Sequence, residues 1–172
     1  MLGTVAWPLA TAVKEGKKMA LEHEFYLIPN TIDVEHLWMN RVNNPKIIDS
    51  VVIHDDIIQY VSDTLKWIPS RNPELHGTPI STGINYYGVT LFDKDSAIIL
   101  KSIFSSWRDL FLNSPAVLEL TGEFVMVQDG EQSGHYEKLA YNRNEIIHQF
   151  EKIISFSDRL SEGKFYLYHC GI

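Results

Sequence analysis

AVLELTGEFVMVQ, residues 116–128, alternates large apolar and polar side chains with a period of two. That period belongs to a strand with one buried face and one wet face. Leu118, Leu120, Phe124 and Met126 share one side, and Glu119, Thr121 and Glu123 the other. DGEQSG (129–134) then offers a turn, and HYEKLAY (135–141) a returning arm. A parallel sheet covered on both faces would carry near-continuous apolar strands instead. The hairpin therefore decides for an α+β domain: a mixed, mostly antiparallel sheet with about four helices packed mainly on one face.

The flanking sequence fits that frame. Asn142 and Glu145 have the spacing of a capping box, and the helix they open carries Ile146, Ile147, Phe150, Ile153 and Ile154 as far as Gly163. KFYLYHC (164–170) is the last strand. On the other side, DSAIILKSIFSSWRDLFLN (95–113) is a helix with Leu100, Phe104, Trp107 and Phe111 in one stripe. INYYGVTLFD (84–93) reads as a strand, and PSRNPELHGTPISTG (69–83), with three prolines and two glycines, as a loop. DIIQYVSDTLKWI (56–68) is helical, KIIDSVVI (46–53) extended, and EFYLI (24–28) extended. Val34, Leu37, Trp38, Met39 and Val42 follow helical spacing after a Thr31 or Asp33 cap, predicting one more helix over 31–42. The order is β-α-β-α-β-α-β-β-α-β, with no repeat or linker to divide it.

The chain has 172 residues and a formal charge of −7, with 45% hydrophobic and 22% charged residues. These proportions suit one globular domain with a real core. Lys14, Lys17 and Lys18 against Glu15 make residues 1–18 net basic, so the excess acid lies in residues 19–172. Such a surface repels nucleic-acid phosphates and favours a cationic partner, although it also serves plain solubility. The lone Cys170 cannot close an internal disulfide, which fits a reducing cytoplasm. No apolar run reaches the roughly 18 residues of a membrane helix.

Residues 1–18 stand apart. LGTVAWPLATAV is apolar, but its lysines follow it, the reverse of a secretory signal. The purine-rich codons needed for Glu15, Gly16, Lys17 and Lys18 fall where a bacterial ribosome-binding site precedes a start codon. Met19 is thus the expected start, with 1–18 a translated leader; a genuine disordered tail is the alternative. The folded domain is expected over 19–172.

Motifs for chemistry are sparse. There is no GxGxxG, no GxxxxGK[ST], no G-x-S-x-G, no H-x-x-x-H and no C-x-x-C, so no cofactor, metal or catalytic residue is assigned. His54, Asp55 and Asp56 form a run at a strand-to-helix junction, for which helix capping by Asp55 or Asp56 is the simplest account. Glu22, His23 and Glu24 cluster at the domain's entry. The 69–83 loop, with Arg71, Asn72, Glu74 and His76, is the natural place for binding residues. Tyr86 and Tyr87 are adjacent, so one of them must point away from any single core face. Tyr166 and Tyr168 share one side of the last strand, and either a partner or a second buried layer would account for them.

Acidic α+β character, absent catalytic motifs and outward tyrosines come together in the segments EFYLIPNTIDVEHLW (24–38), INYYGVTLFD leading to the Trp107 helix, and FYLYHCGI (165–172). On these features the domain from Leu21 to Ile172 resembles the immunity proteins of bacterial polymorphic toxin systems. The resemblance implies a cytoplasmic protein that neutralises a cognate protein toxin, with no nucleic acid or membrane as partner. Asp55, Asp56, Glu74, Glu119 and Glu123 would then face a basic toxin surface, near His76, with Tyr86 or Tyr87 as anchor. Two rivals stay open: a small hydrolase or transferase using the 54–56 junction with the 69–83 loop, and a protein that self-associates, for instance as a homodimer through the last strand.

Overall fold

The computed structural model describes residues 21–73, 81–126 and 134–172. Four strands form the main sheet: β1 (Glu22–Pro29), β2 (Asp49–His54), β5 (Val89–Phe92) and β8 (Phe165–Cys170), in the order β2-β1-β8-β5. Every neighbouring pair is antiparallel. Helices α1 (Asp55–Leu65), α2 (Ala97–Phe111) and α3 (Arg143–Ser161) cover one face. A separate hairpin, β6 (Val117–Met126) with β7 (Gly134–Asn142), stands beside them. A two-residue pair, β3 (Pro69–Ser70) and β4 (Ser81–Thr82), braces the base of the loop between them. The fold is α+β with a mostly antiparallel sheet, as the hairpin pattern predicts, and with three α-helices rather than four among the described residues.

Strand periodicity explains the core. Phe25 and Leu27 of β1, Val51 and Ile53 of β2, Phe92 of β5 and Leu167 of β8 point to the helical side, where Ile57, Leu100, Phe104 and Phe150 meet them. Phe150 of α3 packs against Phe104 and Phe111 of α2 at centroid distances of 5.3 and 5.6 Å. The Trp107 indole N–H donates to Thr64 Oγ1 at 3.0 Å and so joins α2 to α1. Asn142 caps α3 by accepting from the Asn144 and Glu145 amides, and Gly163 ends it at φ 70°.

The expected helix over 31–42 is not there. Only Leu37–Asn40 is helical, as a single 3₁₀ turn, and Asp33 Oδ1 instead accepts from the Glu35 amide at 3.1 Å in a local turn. Thr, Asp, Asn and β-branched residues make this a poor helix former. Its apolar residues do other work: Ile32, Val34, Leu37 and Ile47 lie over the second face of the sheet, against Ile28, Leu91, Tyr168 and Tyr166. Tyr168 is wholly buried there, so of the two accounts of these tyrosines the second layer is the one found. β8 is paired on both sides by β1 and β5, so self-association through a free edge of the last strand is not available.

The hairpin corrects a second expectation. Thr121 pairs with Lys138 but Phe124 with Tyr136, one residue more on β6 than on β7. This bulge at Gly122–Glu123 reverses the alternation beyond it. Leu118 and Leu120 are buried with Leu139 and Tyr141 at the hairpin base, whereas Phe124 and Met126 are exposed.

At the C-terminus, the Gly171 amide donates to the Gly88 carbonyl at 2.7 Å and the Ile172 amide to the Tyr86 carbonyl at 3.0 Å. A Cβ at Gly171 would stand 2.1 Å from that Tyr86 oxygen. Gly171→Ala is therefore expected to push the 84–88 segment away and cost about 2 kcal/mol. A denaturant midpoint indistinguishable from wild type would show that the tail does not hold the segment.

Candidate functional site

The site grows from the junction between β2 and α1. His54, the last strand residue, keeps an extended backbone and acts as the helix N-cap, its Nδ1 accepting from the Asp56 amide at 3.1 Å. Capping by Asp55 or Asp56 is thus replaced by capping from His54. Both carboxylates sit in the first turn, where they complement the positive end of the helix. Successive helical residues point about 100° apart, so the two acids face different surroundings.

Asp55 turns inward and is 3% exposed. Its Oδ1 accepts from His23 Nε2 at 3.0 Å and from the Tyr86 hydroxyl, and its Oδ2 from Gln59 Nε2 at 2.7 Å. Burial pushes this carboxyl up, but the bonds from Tyr86, His23 and Gln59 together outweigh it and hold the acid below its ordinary range. The Tyr86 phenol, by burial and by its bond to Asp55, is pushed up to about 12. Beyond His23, its Nδ1 lies 2.9 Å from His169 Nε2, with the two rings nearly parallel. Both histidines are wholly buried, and burial lowers the pKa of each, His169 the more so.

Asp56 turns outward. Tyr141 of the hairpin donates its hydroxyl to Asp56 Oδ2 and lies 2.9 Å from His54 Nδ1, tying β7 to the junction. Burial, then the Asp56 bond, raises the Tyr141 phenol pKa. Between junction and hairpin lies a cleft of about 520 Å³, walled by His54, Asp55, Asp56 and Tyr60 on one side and by Thr121, Gly122, Glu123, Glu137 and Leu139 on the other. Four carboxylates line it, and none of its lining residues is Lys or Arg. Beside it the hairpin's far end exposes Phe124, Val125, Met126 and Tyr136.

Of the sequence candidates, Asp55, Asp56 and Glu123 come together at this cleft. The bulge sends Glu123 there, while Glu119 borders a neighbouring depression with Tyr60 and Leu110. Tyr86 is engaged with Asp55, and Tyr87, its ring 4.9 Å from that of Tyr86, is 79% exposed. The two tyrosines precede β5 rather than lying in it. Glu74 and His76 lie outside the described residues. Arg71 pairs with Asp93 at 2.7 Å and bridges to Leu91 through its backbone. The described parts of the 69–83 loop border a different cavity, of about 390 Å³, with Asn85 and Thr90.

Sequence reasoning gave no role to His23, noted only within the 22–24 cluster, or to His169, and missed Gln59, Glu137 and Tyr141. A signal existed for the two histidines. His23 falls in step with Phe25 and Leu27, and His169 with Leu167, which puts each histidine on the buried face of its strand.

Among the described residues, no group of three or more His, Cys, Asp or Glu is arranged to hold a metal ion, and no helix is long and apolar enough to cross a membrane. Comparison with protein-family models, with curated proteins and with solved structures gave no match.

Proposed function

We propose that this is a binding protein of the immunity type, which neutralises a cognate protein toxin by holding a basic segment of it in the cleft between the α1 junction and the hairpin. The observation that carries the reading is the lining of that cleft, which includes four carboxylates and no Lys or Arg. Opposite charge speeds encounter, and exposed aromatic and aliphatic side chains then slow dissociation. Phe124, Met126 and Tyr136 on the hairpin, with Tyr60 at the cleft wall, supply such a surface. A hydrolase or transferase draws less support. The cleft at 54–56 is walled by the hairpin rather than by the described 69–83 residues, and Asp55, committed to three donors and held ionised, is poorly placed to carry protons.

The test is capture from the host with tagged protein, followed by co-expression. A captured protein that is toxic alone and harmless with this chain supports the reading; one that stays toxic beside it overturns it. Glu123→Lys should then weaken binding about tenfold or more, roughly 1.4 kcal/mol, and flatten its dependence on salt. Equal affinity at low and high salt for variant and wild type would remove the partner from this cleft.

A further inference from the structure

We propose that the chain His169–His23–Asp55 is an acid-sensitive latch, which fastens the C-terminal strand and the Tyr86 segment to the floor of the cleft and releases them in mildly acidic solution. The inference that release reaches the partner rests on the binding role of the cleft; the latch itself rests on hydrogen-bond direction.

An ionised Asp55 only accepts, so His23 must carry its proton on Nε2. In the neutral ring, Nδ1 is then bare and must accept, which places the next proton on His169 Nε2. His169 Nδ1 is left bare, buried and without a hydrogen-bond partner. A further proton cannot enter between the rings, where one hydrogen already sits. It must go to His169 Nδ1. If the shared proton then shifts to His23, giving a His23 cation beside Asp55, the Nδ1 proton of His169 remains. Each route ends with an N–H in a wholly buried position and no acceptor for it.

The titratable groups facing this pair are Asp55 from α1 and Tyr86 from the 84–88 segment, whose ring meets His23 edge-on at 5.1 Å. From the same strand, Phe25 packs on His169 at 4.7 Å and provides no acceptor in its side chain. Both histidines sit below their ordinary value of 6.5 in the fold. The unfolded or locally opened chain therefore takes up more protons below about 6.5, and closure weakens as pH falls through that window. The place that gives is defined by what the latch holds. His169 leads directly into the Gly171 and Ile172 amides that grip the 84–88 segment, and Tyr86 from that segment is bound to Asp55.

Amide hydrogen exchange of the full chain at pH 7.5 and 5.5, corrected for intrinsic rates, tests this without any partner. Residues 84–88, 169–172 and the first turn of α1 are expected to open about tenfold more readily at pH 5.5. They should stay well less protected than the centres of α2 and α3, which the accompanying loss of global stability accelerates by no more than the same factor. His169→Gln keeps a donor for His23 Nδ1 and, by turning its amide, can equally accept from a charged His23. It should abolish the response. A response equal in variant and wild type, its absence in wild type, or opening of 84–88 only in one global transition with α2 and α3 would overturn the latch. Should the variant not fold, ring NMR of the wild type decides: protonation of His169 must coincide with opening of 84–88, and a His169 that titrates while those amides stay protected refutes the proposal. None of these readouts depends on toxin binding, so loss of the latch and loss of the binding role remain separate results.

Discussion

Asp55→Ala is expected to lower stability by about 3 kcal/mol at pH 7.5. The carboxylate is the common acceptor for His23, Tyr86 and Gln59. Truncation leaves the His23 N–H buried with nothing to receive it, and that is the costly part. Gln59 is exposed, so water can replace what its amide loses, which holds the figure toward the lower end of the usual range. Asp55→Asn can keep its oxygen in the Oδ1 place for both His23 and Tyr86, and its new amide then faces Gln59, whose exposed side-chain amide can turn to accept from it. Its expected cost is about 1–2 kcal/mol. Urea unfolding of the three proteins decides the point, since a change in midpoint at constant slope reports stability alone. An alanine variant within about 0.5 kcal/mol of wild type, the level of an ordinary surface substitution, would mean that the buried chain contributes nothing. Loss on acidification has two windows. The histidines' contribution fades first as pH falls below 6.5, and that of Asp55 fades only below 3.8, because its folded pKa lies under that value.

The sequence was legible where structure follows from local period. Alternation in 116–121 and 164–170, the stripe on 97–111, the Asn142 cap and the Gly163 stop all lie within one element, and all appear as expected. Two misreadings came from the same source. In 31–42 the spacing of Val34, Leu37 and Val42 resembles a helix, yet the segment is a cover whose shape is set by a sheet face assembled from distant strands. In β6 the period is right up to Thr121, and one extra residue then reverses it. The candidate site was half legible. HDD at a strand-to-helix junction marked the location, but its meaning depends on His23 and His169, separated by 146 positions. Only the pairing of first and last strands brings them together, with Phe25 opposite His169 and His23 one step beyond on the same face. No local pattern encodes that contact.

Leu120→Ala is expected to cost about 3 kcal/mol, and to cost function as well. Leu120 is buried in the main core opposite Leu139, and with Leu118 and Tyr141 it is what seats the hairpin on the domain. A two-stranded ribbon is marginal by itself in water, so the base residues supply nearly all of its order. Removing the Leu120 side chain leaves a cavity under the arm that carries Glu123 and Glu137. One wall of the cleft then loses its fixed distance from Asp56. Phe124→Ala on the same strand should behave oppositely. Its ring is exposed and touches chiefly Tyr136, at 5.2 Å, so stability should stay within about 0.5 kcal/mol of wild type. If the hairpin end is a binding surface, that variant nonetheless weakens toxin capture while its unfolding midpoint stands still. Equal losses of stability in the two variants would mean that the far end packs as tightly as the base, leaving no free apolar surface there for a partner to use.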